Sequence, residues 1–198
     1  MWKLILFMKG INIFLADGFE DIEALATGDV LRRGGMDVRL VSIYDELTVE
    51  SSHGVSVIAD FTLDEVDLSP DGTDAADVMI FPGGMPGTRN LAACETLMDA
   101  MRSHYAAGGT LAAICAAPGL VLSELDSLQG VEFTCFEGFE AAPIAKGGVF
   151  TPKAAVRSGR IITGRSAGHA VTFGLELLSA LRPEKVEDVK KALYLWTV

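Results

Sequence analysis

Runs of lysine and arginine are absent from this 198-residue chain. It carries 16 Lys and Arg against 27 Asp and Glu, which gives a formal net charge of −11 at pH 7. Nucleic acids and anionic membrane surfaces are bound mainly through clustered basic residues. The charge balance therefore argues against both as main partners, and we interpret the acidic excess as a solvated surface.

Cysteine is scarce as well. Cys94, Cys115 and Cys135 are the three present, their number is odd, and no Cys-x-x-Cys occurs. This pattern fits neither a disulfide framework nor a cysteine-type zinc site. Because disulfides form mainly outside the cytosol, we expect a protein of the reducing cytoplasm.

The chain has no long apolar run at its N-terminus. The stretch from Leu4 to Met8 is shorter than a signal-peptide core, and far shorter than the roughly 20 residues that span a bilayer. We expect residues 1–8 to be an N-terminal extension, with Met8 as an alternative start, and residues 9–198 to form a single domain. A membrane anchor is the alternative that this length disfavours.

The remaining sequence alternates short apolar runs with amphipathic segments. Hydrophobic spacing predicts strands over 9–15, 37–43, 78–81, 110–114, 132–135 and 160–163, and helices over 20–33, 95–107, 117–124, 168–181 and 184–193. A hairpin is predicted across 48–59 and a loop across 66–76. This alternation predicts a flavodoxin-like three-layer α/β sandwich, with a mostly parallel sheet and helices on both faces.

Three distinctive segments follow predicted strands. They are "ADGFEDIE" after the first strand, "PGGMPG" after Phe81, and Cys115 directly after Ile114. Ligands of open parallel sheets bind beyond the carboxyl ends of the strands. The sequence therefore predicts that these segments meet at one edge of the sheet.

Cys115 stands between a strand and a helix, in "LAAICAAPG". A helix N-terminus lowers the pKa of a thiol, and a sharp strand-to-helix turn exposes a nucleophile. Backbone N–H groups of Ala116 and of the glycine loop would face a developing oxyanion, and Gly83 and Gly84 leave room for a substrate. An ordinary buried cysteine is the alternative, and the local pattern leaves both open.

Glu23 lies in the first turns of the first predicted helix. A carboxyl group pressed against a thiolate has a raised pKa, and its protonated form donates a hydrogen bond to sulfur and moves protons to a substrate. On the pattern alone, a solvated face shared with Glu20 and Asp21 is the favoured interpretation.

Together these residues resemble the ThiJ/PfpI superfamily, most closely its parkinsonism-associated protein deglycase branch. The resemblance rests on segments that occur in family order, namely "ADGFEDIEA", "VLRRGG", "VMIFPGGMPGTRNL", "AAICAAPGLVL" and "ITGRSAGHAVTFGLELLSAL". It implies that Cys115 is an oxidation-prone nucleophile and Glu23 its hydrogen-bonding acid. It also implies that Gly84 and Ala116 supply oxyanion N–H groups, that Arg165 lines the pocket mouth, and that the protein is a homodimer with the first helix at the interface.

The sequence departs from this branch at one position. The branch often places a histidine in the strand after the helix that follows the nucleophile, and here that strand contains Cys135. The histidines are His53, His104 and His169. Cys135 and His169 are accessory candidates, although a core cysteine and a surface residue at a helix start are the interpretations that their local patterns favour.

The resemblance implies a cysteine-dependent glyoxalase or protein deglycase. Its substrate would be a small reactive aldehyde such as methylglyoxal, or a glycated protein, and it would use a Cys115–Glu23 pair without metal or cofactor. The alternative is a non-enzymatic redox sensor or redox-regulated chaperone that responds through oxidation of Cys115. An intracellular cysteine peptidase is disfavoured because Ala116, rather than histidine, follows the cysteine. A glutamine amidotransferase is disfavoured because no His-x-Glu occurs.

Overall fold

A computed structural model describes residues 6–7 and 9–195 of the chain. Residues 1–5 and 8 of the expected N-terminal extension lie outside the described part. Within that extension, Leu6–Phe7 form a short strand, β1, which pairs in parallel with Val66–Asp67 in the segment expected to be a loop.

Thirteen strands and seven α-helices lie within the described residues. The strands are β1 (Leu6–Phe7), β2 (Ile11–Leu15), β3 (Val38–Ser42), β4 (Thr48–Glu50), β5 (Ser56–Ile58), β6 (Phe61–Thr62), β7 (Val66–Asp67), β8 (Val78–Phe81), β9 (Thr110–Ile114), β10 (Glu132–Phe133), β11 (Val149–Phe150), β12 (Ala155–Ser158) and β13 (Ile161–Gly164). The helices are α1 (Asp21–Arg33), α2 (Gly87–Ala93), α3 (Glu95–Ala106), α4 (Ala117–Leu120), α5 (Ala141–Ala145), α6 (Ala170–Leu181) and α7 (Val186–Ala192).

The central sheet has seven strands in the order β12-β13-β9-β8-β2-β3-β6. All neighbours are parallel except the edge pair β12 and β13. One face packs against α1, α6 and α7, and the other against α2, α3 and α4. The predicted three-layer sandwich with a mostly parallel sheet is confirmed.

The middle of the sheet explains why the strand predictions succeed there. Every residue of β2, β8 and β9 is buried, as expected for parallel strands covered on both faces. Consequently β8 and β9 begin and end at the residues predicted. In the helical layer on one face of the sheet, Gly174 of α6 lies against Val30 of α1. A Cβ at Gly174 would lie 3.0 Å from Val30 Cβ, so this glycine lets α1 and α6 pack closely.

Elements outside the central strands differ more from prediction. The strand expected over 132–135 is only two residues long and pairs with β11 in a separate sheet, so that Cys135 lies beyond its end. The helix expected over 117–124 is one α-turn followed by a 3-10 turn, Leu122–Glu124, in a segment that contains Pro118 and Gly119. The predicted hairpin is confirmed as the antiparallel pair of β4 and β5. The elements that are not predicted at all are α2, α5, β6, β11 and β12.

Across residues 6–7 and 9–195, no helix combines the length and the apolar character needed to cross a membrane.

Candidate active site

Cys115 occupies the turn between β9 and α4, at the carboxyl edge of the sheet. Its φ of 65° lies in the left-handed region, which costs a residue with a side chain roughly 1–2 kcal/mol. Two backbone hydrogen bonds hold it there: Cys115 N donates to Gly164 O (3.0 Å), and Phe136 N donates to Cys115 O (2.8 Å). The surrounding chain thus fixes a half-buried thiol in an unfavourable backbone conformation.

Glu23 brings its carboxyl group from α1 to this thiol. The residue is 1% exposed, and its Oε2 accepts a hydrogen bond from Gly83 N at 2.7 Å. Among the described residues, Oε1 has no hydrogen-bond partner. The thiol of Cys115 lies beside the same carboxyl group, close enough for each to shift the pKa of the other.

The pair has shifted ionisation. Burial raises the pKa of Glu23 to about 7, a shift that its contacts with Cys115 and Gly83 oppose. Burial, together with the neighbouring charge of Glu23, raises the pKa of the Cys115 thiol to about 12. The raised pKa of Glu23 has the expected direction, whereas that of Cys115 is opposite to the lowering expected from a helix N-terminus.

Burial is the largest cause of this difference at Cys115, and the helix that follows is too short to offset it. α4 has only four residues, so few peptide dipoles add up at its start. Hydrogen bonds from the backbone of Ala116 and Gly84 do lower the pKa of the thiol, but burial outweighs them. Both N–H groups predicted for the oxyanion therefore lie beside the sulfur.

Gly83 and Gly84 form the second wall of the site. A Cβ at Gly83 would lie 2.5 Å from Glu23 Oε2 and 2.6 Å from Cys115 Cβ. Gly84 has φ 91°, and a Cβ there would lie 2.4 Å from Glu20 N. A side chain at either position would displace the acid, the thiol or the start of α1.

Arg165 and Cys135 lie close enough for the charge of Arg165 to act on Cys135, and each is next in sequence to a residue whose backbone hydrogen-bonds to Cys115. Arg165 follows Gly164 directly, its guanidinium lies 5.8 Å from the centre of the Phe150 ring, and its buried Nη1 has no partner among the described residues. Cys135 is fully buried. Burial raises the pKa of its thiol to about 12, an effect that the charge of Glu140 adds to and that of Arg165 opposes.

The histidines occupy three separate places. His169 stands directly before α6 without a side-chain hydrogen bond to the helix, and its Nδ1 lies 3.1 Å from Ser166 Oγ. His53 lies at the turn of the hairpin, with Nδ1 2.9 Å from Asp21 Oδ1. His104 is buried in α3, and its Nε2 lies 3.1 Å from Asp77 O, at the amino ends of β8 and β9 and so at the opposite edge of the sheet from Cys115.

Glu20 has a role that the sequence analysis did not assign. Its Oε2 accepts a hydrogen bond from Glu23 N at 2.7 Å and so caps α1, and its charge helps to raise the pKa of Glu23. Glutamate is not among the residue types that favour the position before a helix, so the local sequence gives no signal for this cap. Glu20, Asp21 and His53 also bring one donor atom each within 4.8 Å of one another, but Glu20 and Asp21 already accept the hydrogen bonds described here.

Comparisons with known proteins agree with this fold. A model of the DJ-1/PfpI family matches residues 9–180. Since the match covers most of the sequence, the chain belongs to the DJ-1/PfpI family.

Individual relatives and a solved structure show the same affiliation. Protein DJ-1 homolog A of Arabidopsis thaliana is 33% identical over 191 residues, 96% of this chain but 47% of the plant protein, so the chain spans about half the length of that relative. Glutathione-independent glyoxalase DJR-1.2 of Caenorhabditis elegans is 31% identical over 177 residues, 89% of this chain and 90% of the worm protein. The crystal structure of a mutant of the DJ-1 superfamily protein STM1931 from Salmonella typhimurium has a TM-score of 0.83 at 31% identity, covering 94% of this chain and 98% of that one.

Proposed function

We propose that this protein is a cofactor-free glyoxalase that converts methylglyoxal or a similar 2-oxoaldehyde to the 2-hydroxy acid. The observation that carries the proposal is the buried carboxyl group of Glu23 against the thiol of Cys115, which is itself held at a left-handed φ. A relative named as a glutathione-independent glyoxalase supports the same assignment.

The first step is attack by sulfur on the aldehyde carbon. Because Glu23 has a pKa of about 7 and Cys115 one of about 12, the carboxylate is the base that accepts the thiol proton as the carbon–sulfur bond forms. The N–H groups of Gly84 and Ala116 lie beside the sulfur, where the aldehyde oxygen becomes an oxyanion. Return of the proton from Glu23 to this oxygen gives a neutral hemithioacetal.

The second step moves a proton between the two carbons. The Glu23 carboxylate removes the hydrogen of the former aldehyde carbon, and the electron pair moves into the adjacent carbonyl. The hemithioacetal hydroxyl passes its proton to that carbonyl oxygen, which leaves an enediolate with its charge on the oxygen of the sulfur-bearing carbon. Protonation of the neighbouring carbon by Glu23 then yields the thioester of the hydroxy acid. Water hydrolyses this thioester, so that methylglyoxal and one water give lactate and the free thiol returns.

Lactate formation from methylglyoxal by the purified chain tests this proposal. We expect turnover by the wild type, loss of at least about a thousandfold in Cys115→Ser, and a large loss in Glu23→Gln, which keeps the shape but not the base. Cys94→Ser, outside the site, is the matched control. Absence of turnover by the wild type would overturn the proposal, and turnover that survives in Cys115→Ser would exclude this site.

The same assay distinguishes free aldehyde from glycated protein as the substrate. A glyoxalase drains free methylglyoxal and so lowers glycation indirectly, whereas a deglycase acts on the adduct itself. If loss of the adduct is faster than its spontaneous release of aldehyde, the deglycase assignment is supported. Selective oxidation of Cys115 in a protein without turnover would instead support a sensor or redox-regulated chaperone.

We also propose that the active form is a homodimer in which α1 lies at the interface. Ile22 and Leu25 on α1 are 53% and 39% exposed, and Val55 and Ile58 of the neighbouring hairpin are 45% and 72% exposed. His53 of that hairpin contacts Asp21 at the start of α1, so these apolar side chains belong to neighbouring elements. Burial of such a face against a second copy removes apolar surface from water.

A further inference from the structure

Cys115 and Cys135 lie on adjacent stretches of backbone. The residue after Cys135, Phe136, donates its N–H to Cys115 O at 2.8 Å. Backbones joined by such a bond run about 5 Å apart, and disulfides join residues whose Cα atoms are about 4.4–6.8 Å apart. The backbone spacing therefore suits a covalent bridge between the two thiols.

The two thiols differ in access to solvent. Cys115 is half-buried at the edge of the sheet, whereas Cys135 has a relative exposure of 0%. A soluble oxidant therefore reaches Cys115 first, and Cys135 is protected from direct oxidation. Cys94, the third cysteine, lies between α2 and α3 and packs in the cluster on the α3 side of the sheet.

The surroundings of Cys135 can assist a reaction of its sulfur. Arg165 is close enough for its charge to favour the thiolate of Cys135, and the buried Nη1 of Arg165 has no partner among the described residues. Burial and Glu140 act in the opposite direction and keep the resting thiol protonated. Cys135 is thus an unreactive thiol until an electrophilic sulfur forms beside it.

We infer that Cys135 is a resolving thiol that forms a disulfide with Cys115 after a peroxide has oxidised Cys115. In the first step the Cys115 sulfur attacks a hydroperoxide, the O–O bond breaks, and sulfenic acid and an alcohol or water form. In the second, the Cys135 sulfur attacks the sulfenic sulfur, the S–O bond breaks, and the hydroxyl leaves as water with the Cys135 proton. Two thiols are oxidised by two electrons in total, and the peroxide is reduced by the same two.

The bridge would protect the proposed catalytic thiol. A sulfenic acid that meets no second thiol is oxidised further to sulfinic acid, which ordinary thiols do not reverse. The Cys115 sulfur lies against Glu23 in the resting protein, so bridging turns this side chain away from its base and stops turnover until a reductant opens the disulfide. This inference rests on the proposed function, because it requires Cys115 to be the reactive thiol.

Hydrogen peroxide treatment followed by mass spectrometry tests the inference. The full-length chain is treated with a few equivalents of peroxide, alkylated, and digested without reduction. We expect the wild type and Cys94→Ser to give a cross-linked peptide containing Cys115 and Cys135, and to regain lactate formation after dithiothreitol. Cys135→Ser and Cys135→Ala, two variants that differ in polarity at this buried position, should accumulate Cys115 sulfinic acid and stay inactive after dithiothreitol.

The outcomes separate this inference from the proposed function. Cys115 sulfinic acid in the wild type, without the cross-linked peptide, overturns the resolving role and leaves the proposed enzyme intact. Cys115 that stays reduced while Cys94 reacts overturns the inference, and lactate formation by the same sample decides the proposed enzyme separately. If the wild type forms the Cys115–Cys135 cross-link but does not turn over methylglyoxal, the disulfide is supported and the proposed glyoxalase activity is refuted.

Discussion

The backbone N–H of Gly83 donates a hydrogen bond to Glu23 Oε2, 2.7 Å away, and this bond joins the loop after β8 to the first turn of α1. It holds a carboxyl group that is 1% exposed, and it opposes the rise in pKa that burial causes. Because the same carboxyl group meets the thiol of Cys115, the position of the proposed base depends on a main-chain atom of a residue 60 positions away.

Substitution of Gly83 by alanine should remove activity. The added methyl group would lie 2.5 Å from Glu23 Oε2 and 2.6 Å from Cys115 Cβ, so acid and thiol must separate. We expect lactate formation to fall by roughly 100-fold and the free energy of unfolding by about 1–3 kcal/mol. Gly28→Ala in α1 is the matched control, because its methyl group makes an ordinary 3.5 Å contact with Ile13 Cδ1. Full activity in Gly83→Ala would contradict the described geometry.

Stability should fall as the pH rises through the titration of Glu23. The pKa of Glu23 is about 7 in the folded chain and 4.5 as its ordinary value, so the folded state binds this proton more tightly. The resulting stabilisation is complete below about pH 4.5 and is lost as the pH rises through about 7; it is on the order of 3 kcal/mol. Glu23→Gln, which does not titrate, should lack it.

Urea unfolding of the wild type and Glu23→Gln at pH 5 and pH 8 measures this effect. The free energy of unfolding of the wild type, relative to the variant, should be lower at pH 8 than at pH 5. Burial lowers the pKa of His104, so that acidification below about 6.5 destabilises both proteins equally and cancels in the comparison. Parallel pH profiles for the two proteins would refute the raised pKa.

Removal of the Glu23 charge should make Cys115 more acidic while reducing turnover. Both the charge of Glu23 and its hydrogen bond with the thiol raise the pKa of Cys115. We therefore expect the thiolate absorbance of Glu23→Gln to appear at lower pH than that of the wild type, with Cys115→Ser as the blank. If Glu23→Gln has more thiolate than the wild type but forms less lactate, the variant has lost proton transfer by Glu23 rather than a reactive thiol.

A charge on the exposed face of α1 should disrupt the proposed dimer. Ile22 is 53% exposed, and an aspartate at this position would place a charge in the apolar interface. We expect sedimentation of Ile22→Asp as a monomer of about 21 kDa and of the wild type as a dimer. Ile144→Asp is the matched control, since Ile144 is 50% exposed on α5, outside α1 and the hairpin. A wild type that sediments as a monomer would exclude the dimer.

Prediction from sequence succeeded where burial on two faces dictates the residue types. β8 and β9 contain only buried residues, and an uninterrupted apolar run admits few other placements within an α/β alternation. The meeting of the Gly83 loop, Glu23 and Cys115 at one edge also followed, because parallel strands place their carboxyl ends together.

Prediction failed where long-range contacts decide the local conformation. The left-handed φ of Cys115 is held by Gly164 and Phe136, which lie 49 and 21 residues further along the chain, and no local pattern indicates it. A position at a helix start predicts a lowered pKa for the thiol, but burial by distant parts of the chain raises it. The helix itself ends after one turn. The sequence pattern predicts a solvated helix face for Glu20, whereas in the structure its carboxylate accepts a hydrogen bond from Glu23 N at the start of α1.

Much of the candidate site consists of main chain. Three of its hydrogen-bond donors, at Gly83, Gly84 and Ala116, are peptide N–H groups, which any residue except proline possesses. Natural selection on such a site acts on the path of two loops more than on the identity of many side chains. Sequences of this family can therefore diverge widely around two reactive side chains, provided that small residues continue to mark where the loops pass closest.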